Sequence, residues 1–176
     1  MSDAADAPRV SSLSDLYAVA YQIEADAVER YTMLADQMEM HNNPDLVAIF
    51  RDLARAEGIH RDEICRMAGG LDVVAHARRM AHWRIGESPE AADLSSAHYL
   101  MTPRAALEMA LAGEERALAF FKELLAAAKD PDVARLAKEL VNEESEHVQL
   151  CHRLLRRYPA SALRSGDDPD PPAPQE

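Results

Sequence analysis

The chain has 176 residues, 48% hydrophobic and 28% charged, the profile of one globular domain with enough apolar material for a sizeable core. Its net charge of −12 argues against nucleic acid as a partner, since 31 acids outnumber 19 Lys plus Arg and phosphate binding needs a basic face. No apolar run approaches the length of a membrane span, and MSDAADAPRVSS lacks the basic start and apolar block of a signal peptide, so the expectation is a cytoplasmic protein with no membrane contact.

Residues 1–11 read as a flexible lead-in. Segment one is helical from about Ser12 to His41 and stops at HNNP; segment two runs from about Pro44 to Ala68 and stops at Gly69-Gly70. A long connection, 70–102, follows, of which Asp72 to Ile85 could form a short helix. Segment three starts near Pro103 with Thr102 as its cap and ends near Lys129; segment four follows at once, with Asp130 capping, Pro131 in the first turn and a stop before Pro159. The acidic, proline-rich tail 159–176 should be disordered. Cys65 and Cys151 are too few and too far apart for a disulfide framework or a Cys-x-x-Cys site, and read as packing residues.

The halves repeat. Pro44-Asp45, Leu53, Glu57 and His60 return as Pro131-Asp132, Leu140, Glu144 and His147, one offset apart (131 − 44 and 147 − 60 both equal 87). Glu24, Tyr31 and Leu34 return as Glu114, Phe121 and Leu124 at an offset of 90 (114 − 24). The chain reads as one helix hairpin used twice.

Spacings of three and four residues place one apolar stripe on each segment. The stripes are Tyr17, Ala20, Glu24, Ala27, Tyr31, Leu34, Met38; Leu46, Phe50, Leu53, Glu57, His60, Ile64, Met67; Leu107, Ala110, Glu114, Ala117, Phe121, Leu124; and Val133, Ala137, Leu140, Glu144, His147, Cys151, Leu154. Four glutamates and two histidines thus fall on core positions. Glu57 and Glu144 each lie 13 residues past the proline of their segment (57 − 44 and 144 − 131), roughly 20 Å along a helix, so the ligands should meet at one height.

Such a set cannot stay uncompensated, because an unpaired buried charge costs several kcal/mol against a total stability of about 5 to 15 kcal/mol. No lysine or arginine lies on the four stripes, so the compensation expected is two divalent cations balancing four carboxylates, with both imidazoles neutral. One Glu from each of two helices plus Glu-x-x-His from each of the other two is the ligand set of di-iron and di-manganese carboxylate bundles. Residues three apart project to one side of a helix, so each Glu-x-x-His can serve one metal pair.

Through Glu24-x6-Tyr31, Glu57-x2-His60, Glu114-x6-Phe121 and Glu144-x2-His147 the sequence resembles the ferritin-like superfamily, and within it the rubrerythrin-like proteins, over about Leu13 to Tyr158. The resemblance implies an all-α, ferritin-like four-helix bundle binding two iron ions, with manganese or zinc as possible substitutes, that reduces hydrogen peroxide or oxygen. Glu57 and Glu144 would bridge the metals, Glu24 and Glu114 would be terminal ligands, and His60 and His147 would complete one ion each. The chain lacks the four cysteines of a rubredoxin domain, and Ala117 stands where rubrerythrins tend to carry a further glutamate. A separate electron donor, such as a rubredoxin-like protein, is therefore expected. The alternatives are a ferroxidase or iron-handling protein, and a non-catalytic metal-stabilised oligomeric module.

Glu115, Glu143 and Glu146 flank the ligands and read as solvated, with Glu143 the competitor to Glu144 because it lies four residues before His147, a usable spacing, though only Glu144 has a counterpart in segment two; Tyr31 is either a core aromatic or a donor to a metal-bound carboxylate. His41, His76, His82 and His98 read as surface residues, and His152 falls on another face. The length of the 70–102 connection lets the second hairpin start at the same end as the first, making segments two and three parallel. It also admits a homodimer, with exchange of hairpins between chains as a possibility.

Overall fold

The computed structural model describes residues 10–80 and 102–159. Five helices follow one another: α1 (Leu13–Met40), α2 (Pro44–Met67), the short α3 (Val73–Met80), α4 (Pro103–Ala127) and α5 (Pro131–Leu155). The four long ones are the four segments expected. Residues 1–9, most of the tail, and 81–101, including the expected helical stretch from 81 to 85, His82 and His98, lie outside the described residues. Among the described residues no helix is long and apolar enough to cross a membrane.

Each long helix begins on a side chain that accepts from its first-turn amides: Ser12 from Asp15, Asn43 from Leu46, Thr102 from Ala105, and Asp130 from both Asp132 and Val133. Proline occupies the first turn of α2, α4 and α5, where its missing N–H leaves no bond unmade. The first hairpin turns at Asn42, whose φ of 52° is tolerated by a short polar side chain. After α2 the chain leaves through Gly69 and Gly70, at φ 59° and 98°, a conformation that a side chain would strain.

Two apolar clusters fix the topology. One joins Leu34, Met38, Leu46 and Phe50, around the turn of the first hairpin, to Ala106, Leu107 and Ala110 at the start of α4 and to Leu154 at the end of α5. The other joins Leu16, Val19 and Ile23 of α1 to Ile64, Ala117, Phe121, Val133 and Leu140. The start of α4 therefore lies beside the start of α2, so the two run parallel, with the end of α2 and the start of α4 at opposite ends of the bundle. α3 packs on the lower part of α1, burying Val73 and Ala77. There His76 Nε2 lies 2.9 Å from Asp15 Oδ1, a hydrogen bond rather than the free surface position expected of it.

α1 is the central element, packing against all four other helices. Its buried set, which includes Leu16, Val19, Ile23 and Arg30, is wider than one stripe. Tyr17, expected on the stripe, is half-buried, and Leu16 takes the core position; Met67 of α2 is 41% exposed. Between the two apolar clusters lies a layer of charged side chains.

Candidate metal centre

Glu24, Glu57, Glu114 and Glu144 reach that layer from α1, α2, α4 and α5, each no more than 4% exposed. His60 and His147 enter three residues after the glutamates of α2 and α5, with their rings stacked at 5.6 Å and 12° between planes. All six expected ligands are brought together. Glu57 lies between the two imidazoles, Oε2 at 3.4 Å from His60 Nδ1 and Oε1 at 3.3 Å from His147 Nδ1. His147 Nδ1 also faces Glu114 Oε2 at 3.3 Å and Glu144 Oε2 at 3.8 Å.

Three donor sets are close enough to hold an ion: Glu57 with His60 and His147, Glu24 with His60 and Glu143, and Glu114 with Glu144 and His147. Glu143 is a correction to the sequence reading, which placed it in solvent. It is half-buried and shares the His60 side of the centre, while Glu115 and Glu146 are exposed as expected. His152 is exposed on another face. A narrow cleft beside His60, lined by Glu63, Glu139 and Glu143 among others, lies between α2 and α5.

Arg30 is the second correction. No cation was expected in the core, yet this guanidinium is fully buried, and its Nη2 donates to Glu114 Oε1 at 2.7 Å. Tyr31 donates its hydroxyl to the same oxygen, so of the two readings open to it the hydrogen-bond donor holds. The layer thus contains an internal ion pair. The remaining carboxylates still outnumber it.

The charges settle unevenly. Burial, reinforced by the Glu57 charge, pushes Glu24 well above the ordinary carboxylate range; burial with Glu114 and Glu24 nearby does the same to Glu144. Burial also raises Glu143. For Glu114 burial acts upward too, but His147, Arg30 and Tyr31 overcome it and hold the carboxyl at about 2. The Glu57 carboxylate beside it raises His60, and His147, despite burial, is lifted to about 9 by Glu114 and Glu57. Of the cysteines, Cys151 is buried with its thiol pushed up to about 12 by desolvation, whereas Cys65 is exposed and packs nothing.

The donor chemistry fits a metal pair. Among the buried side-chain atoms, Glu57 Oε1, His60 Nδ1 and His147 Nδ1 make no hydrogen bond, although all three face the centre of the layer. Buried polar atoms rarely stay so, and an oxygen flanked by two imidazole nitrogens is what divalent cations bind.

Comparisons with known proteins agree with this geometry. The chain aligns with an uncharacterized conserved protein from Magnetospirillum magnetotacticum MS-1, solved by crystallography, at 36% identity over 84% of this chain and 96% of that one, with a TM-score of 0.69. No curated protein matches it. The rubrerythrin family model matches residues 15–155, a span that contains every ligand described above. With its all-α ferritin-like bundle and its carboxylate and histidine layer, the chain belongs to the rubrerythrin family.

Proposed function

We propose that the chain is a di-iron oxidoreductase that reduces hydrogen peroxide or oxygen. The observation that carries the reading is the cluster of orphaned donor atoms, Glu57 Oε1, His60 Nδ1 and His147 Nδ1, inside a ring of four buried glutamates. Glu57, placed between the imidazoles, would bridge the pair, as would Glu144; Glu24 and Glu114 would be terminal, and His60 and His147 would each complete one ion. Glu143 would add a carboxylate on the His60 side. Two irons held by these residues would supply two electrons to an oxidant together, avoiding release of a one-electron radical. The protein residues hold the ligands rigid, with the apolar clusters above and below excluding water.

The reducing equivalents would come from a separate rubredoxin-like donor, and the protein would act in the cytoplasm, where Cys65 stays a free thiol. We place it as a homodimer. All ligands meet within one chain, so a dimer would need no exchange of hairpins to complete its sites. The test is metal analysis of protein made in iron-replete cells, then rapid mixing of the reduced form with peroxide and with oxygen. Two irons per chain, oxidised by either and re-reduced over many turnovers, is the expected result; a redox-inert bound zinc would overturn it.

A second reading, iron handling, is favoured by one feature. The cleft beside His60 is lined by Glu63, Glu139 and Glu143, an acidic route suited to a cation entering or leaving. Iron uptake well beyond two per chain would decide for it.

A further inference from the structure

Arg30 has no role in the ligand set, yet the fold is shaped around it. Its guanidinium is completely buried in the core of α1, against α4. A Cβ built on Gly113 would fall inside that guanidinium, 2.6 Å from Cζ. Gly113 is therefore a seat: any side chain there would drive the guanidinium from its place, and a fully buried cation has no water to retreat to. Helix interiors disfavour glycine by about 1 kcal/mol relative to alanine, so a glycine in mid-α4 stands against propensity. The seat lies directly before Glu114, so the cation and the ligand are placed by adjacent residues.

The consequence concerns which atoms of Glu114 remain free. Oε1 accepts from both Arg30 and Tyr31, and Arg30 Cζ also lies 4.6 Å from the Tyr31 ring centroid, so the two donors brace each other. Oε2 faces His147 Nδ1. One oxygen is bound to the scaffold and the other is presented to the centre. The repeat shows that the family of ligands does not require this: at the offset of 90, Arg30 corresponds to Phe120, Tyr31 to Phe121, and Gly113 to Ile23 (120 − 30, 121 − 31 and 113 − 23). Glu24 has no equivalent clamp.

We infer that Arg30, seated on Gly113, is a positioning residue of the metal centre: it restricts Glu114 to single-oxygen ligation through Oε2, and its fixed positive charge favours the reduced, less positive state of the two ions. This rests on the iron reading above. A guanidinium stays protonated throughout the accessible pH range, so the charge is permanent. In a buried site it acts at low effective dielectric, where a neighbouring cation raises the free energy of the more positive oxidised state.

The experiment compares iron-loaded wild-type protein with Arg30→Met, Arg30→Lys, Gly113→Ala and the Arg30→Met/Gly113→Ala double variant. Reduction midpoint is read by mediated optical titration, and iron content and thermal melting are read in parallel. The midpoint should fall in Arg30→Met and recover most of the way in Arg30→Lys, which keeps the charge and loses the fork. Gly113→Ala should lower the melting temperature when Arg30 is present and lose that effect in the Arg30→Met background. An Arg30→Met protein holding two irons at an unchanged midpoint would overturn the inference, as would an alanine effect at Gly113 independent of Arg30. If Arg30→Met holds no second iron, the positioning role stands and Arg30→Lys decides the charge: a midpoint close to that of wild type upholds it and a large fall overturns it. Wild-type protein that takes up no iron would sink the proposed function and this inference together, before any variant is compared.

Discussion

The hairpin α1–α2 and the hairpin α4–α5 carry the same ligand pattern, and their lone glutamates occupy equivalent positions, yet burial pushes Glu24 well above the ordinary carboxylate range while Glu114 is held at about 2. The difference does not come from the glutamates. Arg30 and Tyr31, on the first hairpin, both reach across to Glu114, whereas their counterparts Phe120 and Phe121 offer rings and no cation or hydroxyl to Glu24. Phe121 is instead spent in the lower apolar cluster. A duplicated ligand set has therefore become an asymmetric centre through residues that are not among its six candidate ligands, and two ions held there would be electrostatically distinct.

The largest effect that tests this comparison comes from removing a shared ligand. Glu57→Ala takes away the oxygen pair that lies between both imidazoles, so two-metal binding should be lost altogether, measured as metal per chain after loading. Glu24→Ala and Glu114→Ala should each leave one ion bound. If Glu57→Ala still binds two, Glu57 is not common to both halves.

Acid and base should act on the metal-free protein from opposite sides, because Glu114 is shifted down while His147, Glu24 and Glu144 are shifted up. His147, raised to about 9, contributes stability that is complete below its unfolded value near 6.5 and is lost as pH rises through 9. The raised carboxyls of Glu24 and Glu144 act in the same sense, each stabilising when protonated and losing that contribution as pH climbs through its folded value. Glu114, held at about 2, contributes above its unfolded value near 4.5 and loses the contribution as pH falls toward 2. The melting temperature of metal-free protein should therefore peak in mildly acid solution and fall on both sides, the alkaline loss from His147 amounting to at most about 3 kcal/mol. A melting temperature that rises steadily from pH 6.5 to 9 would contradict the assignment.

Tyr31→Phe makes the first hairpin resemble the second at one atom. It removes one of two donors to a buried carboxylate while keeping the ring stacked on Phe50, and should lower stability by about 1 to 2 kcal/mol, read by thermal or denaturant unfolding. The smallest effect lies at the caps. Asp130 accepts from two amides, at 2.8 and 3.3 Å, and Asn43 from one at 3.2 Å, so Asp130→Ala should cost slightly more than Asn43→Ala, each about 1 kcal/mol. Equal costs would mean that the second amide adds nothing.

The fold was legible in the sequence because punctuation and period agreed: caps at Thr102 and Asp130, prolines in first turns, and stripes that ran unbroken for six or seven positions on each segment. The six-residue ligand layer was legible because the hairpin is repeated, so each ligand had a counterpart. What escaped notice did so for a physical reason. A single stripe assumes one buried face, but α1 is covered by four neighbours, and Arg30 sits one position off the stripe on a side that is core all the same. The offset that pairs Arg30 with the apolar Phe120, together with a glycine before Glu114, was the available signal. Glu143 escaped because it has no acidic counterpart in α2, where Ala56 stands, and because its reach to His60 depends on the opening between α2 and α5, which no helical wheel contains.

The thiol of Cys151 lies one turn beyond His147, close to whatever oxidant the centre admits. Sulfur is oxidised as the thiolate, and burial pushes this thiol up to about 12, which keeps it protonated at neutral pH. The same desolvation that makes the layer costly to build would thus shield the chain from an oxidant under the proposed reaction: the apolar wall that Cys151 helps to form keeps its thiol protonated.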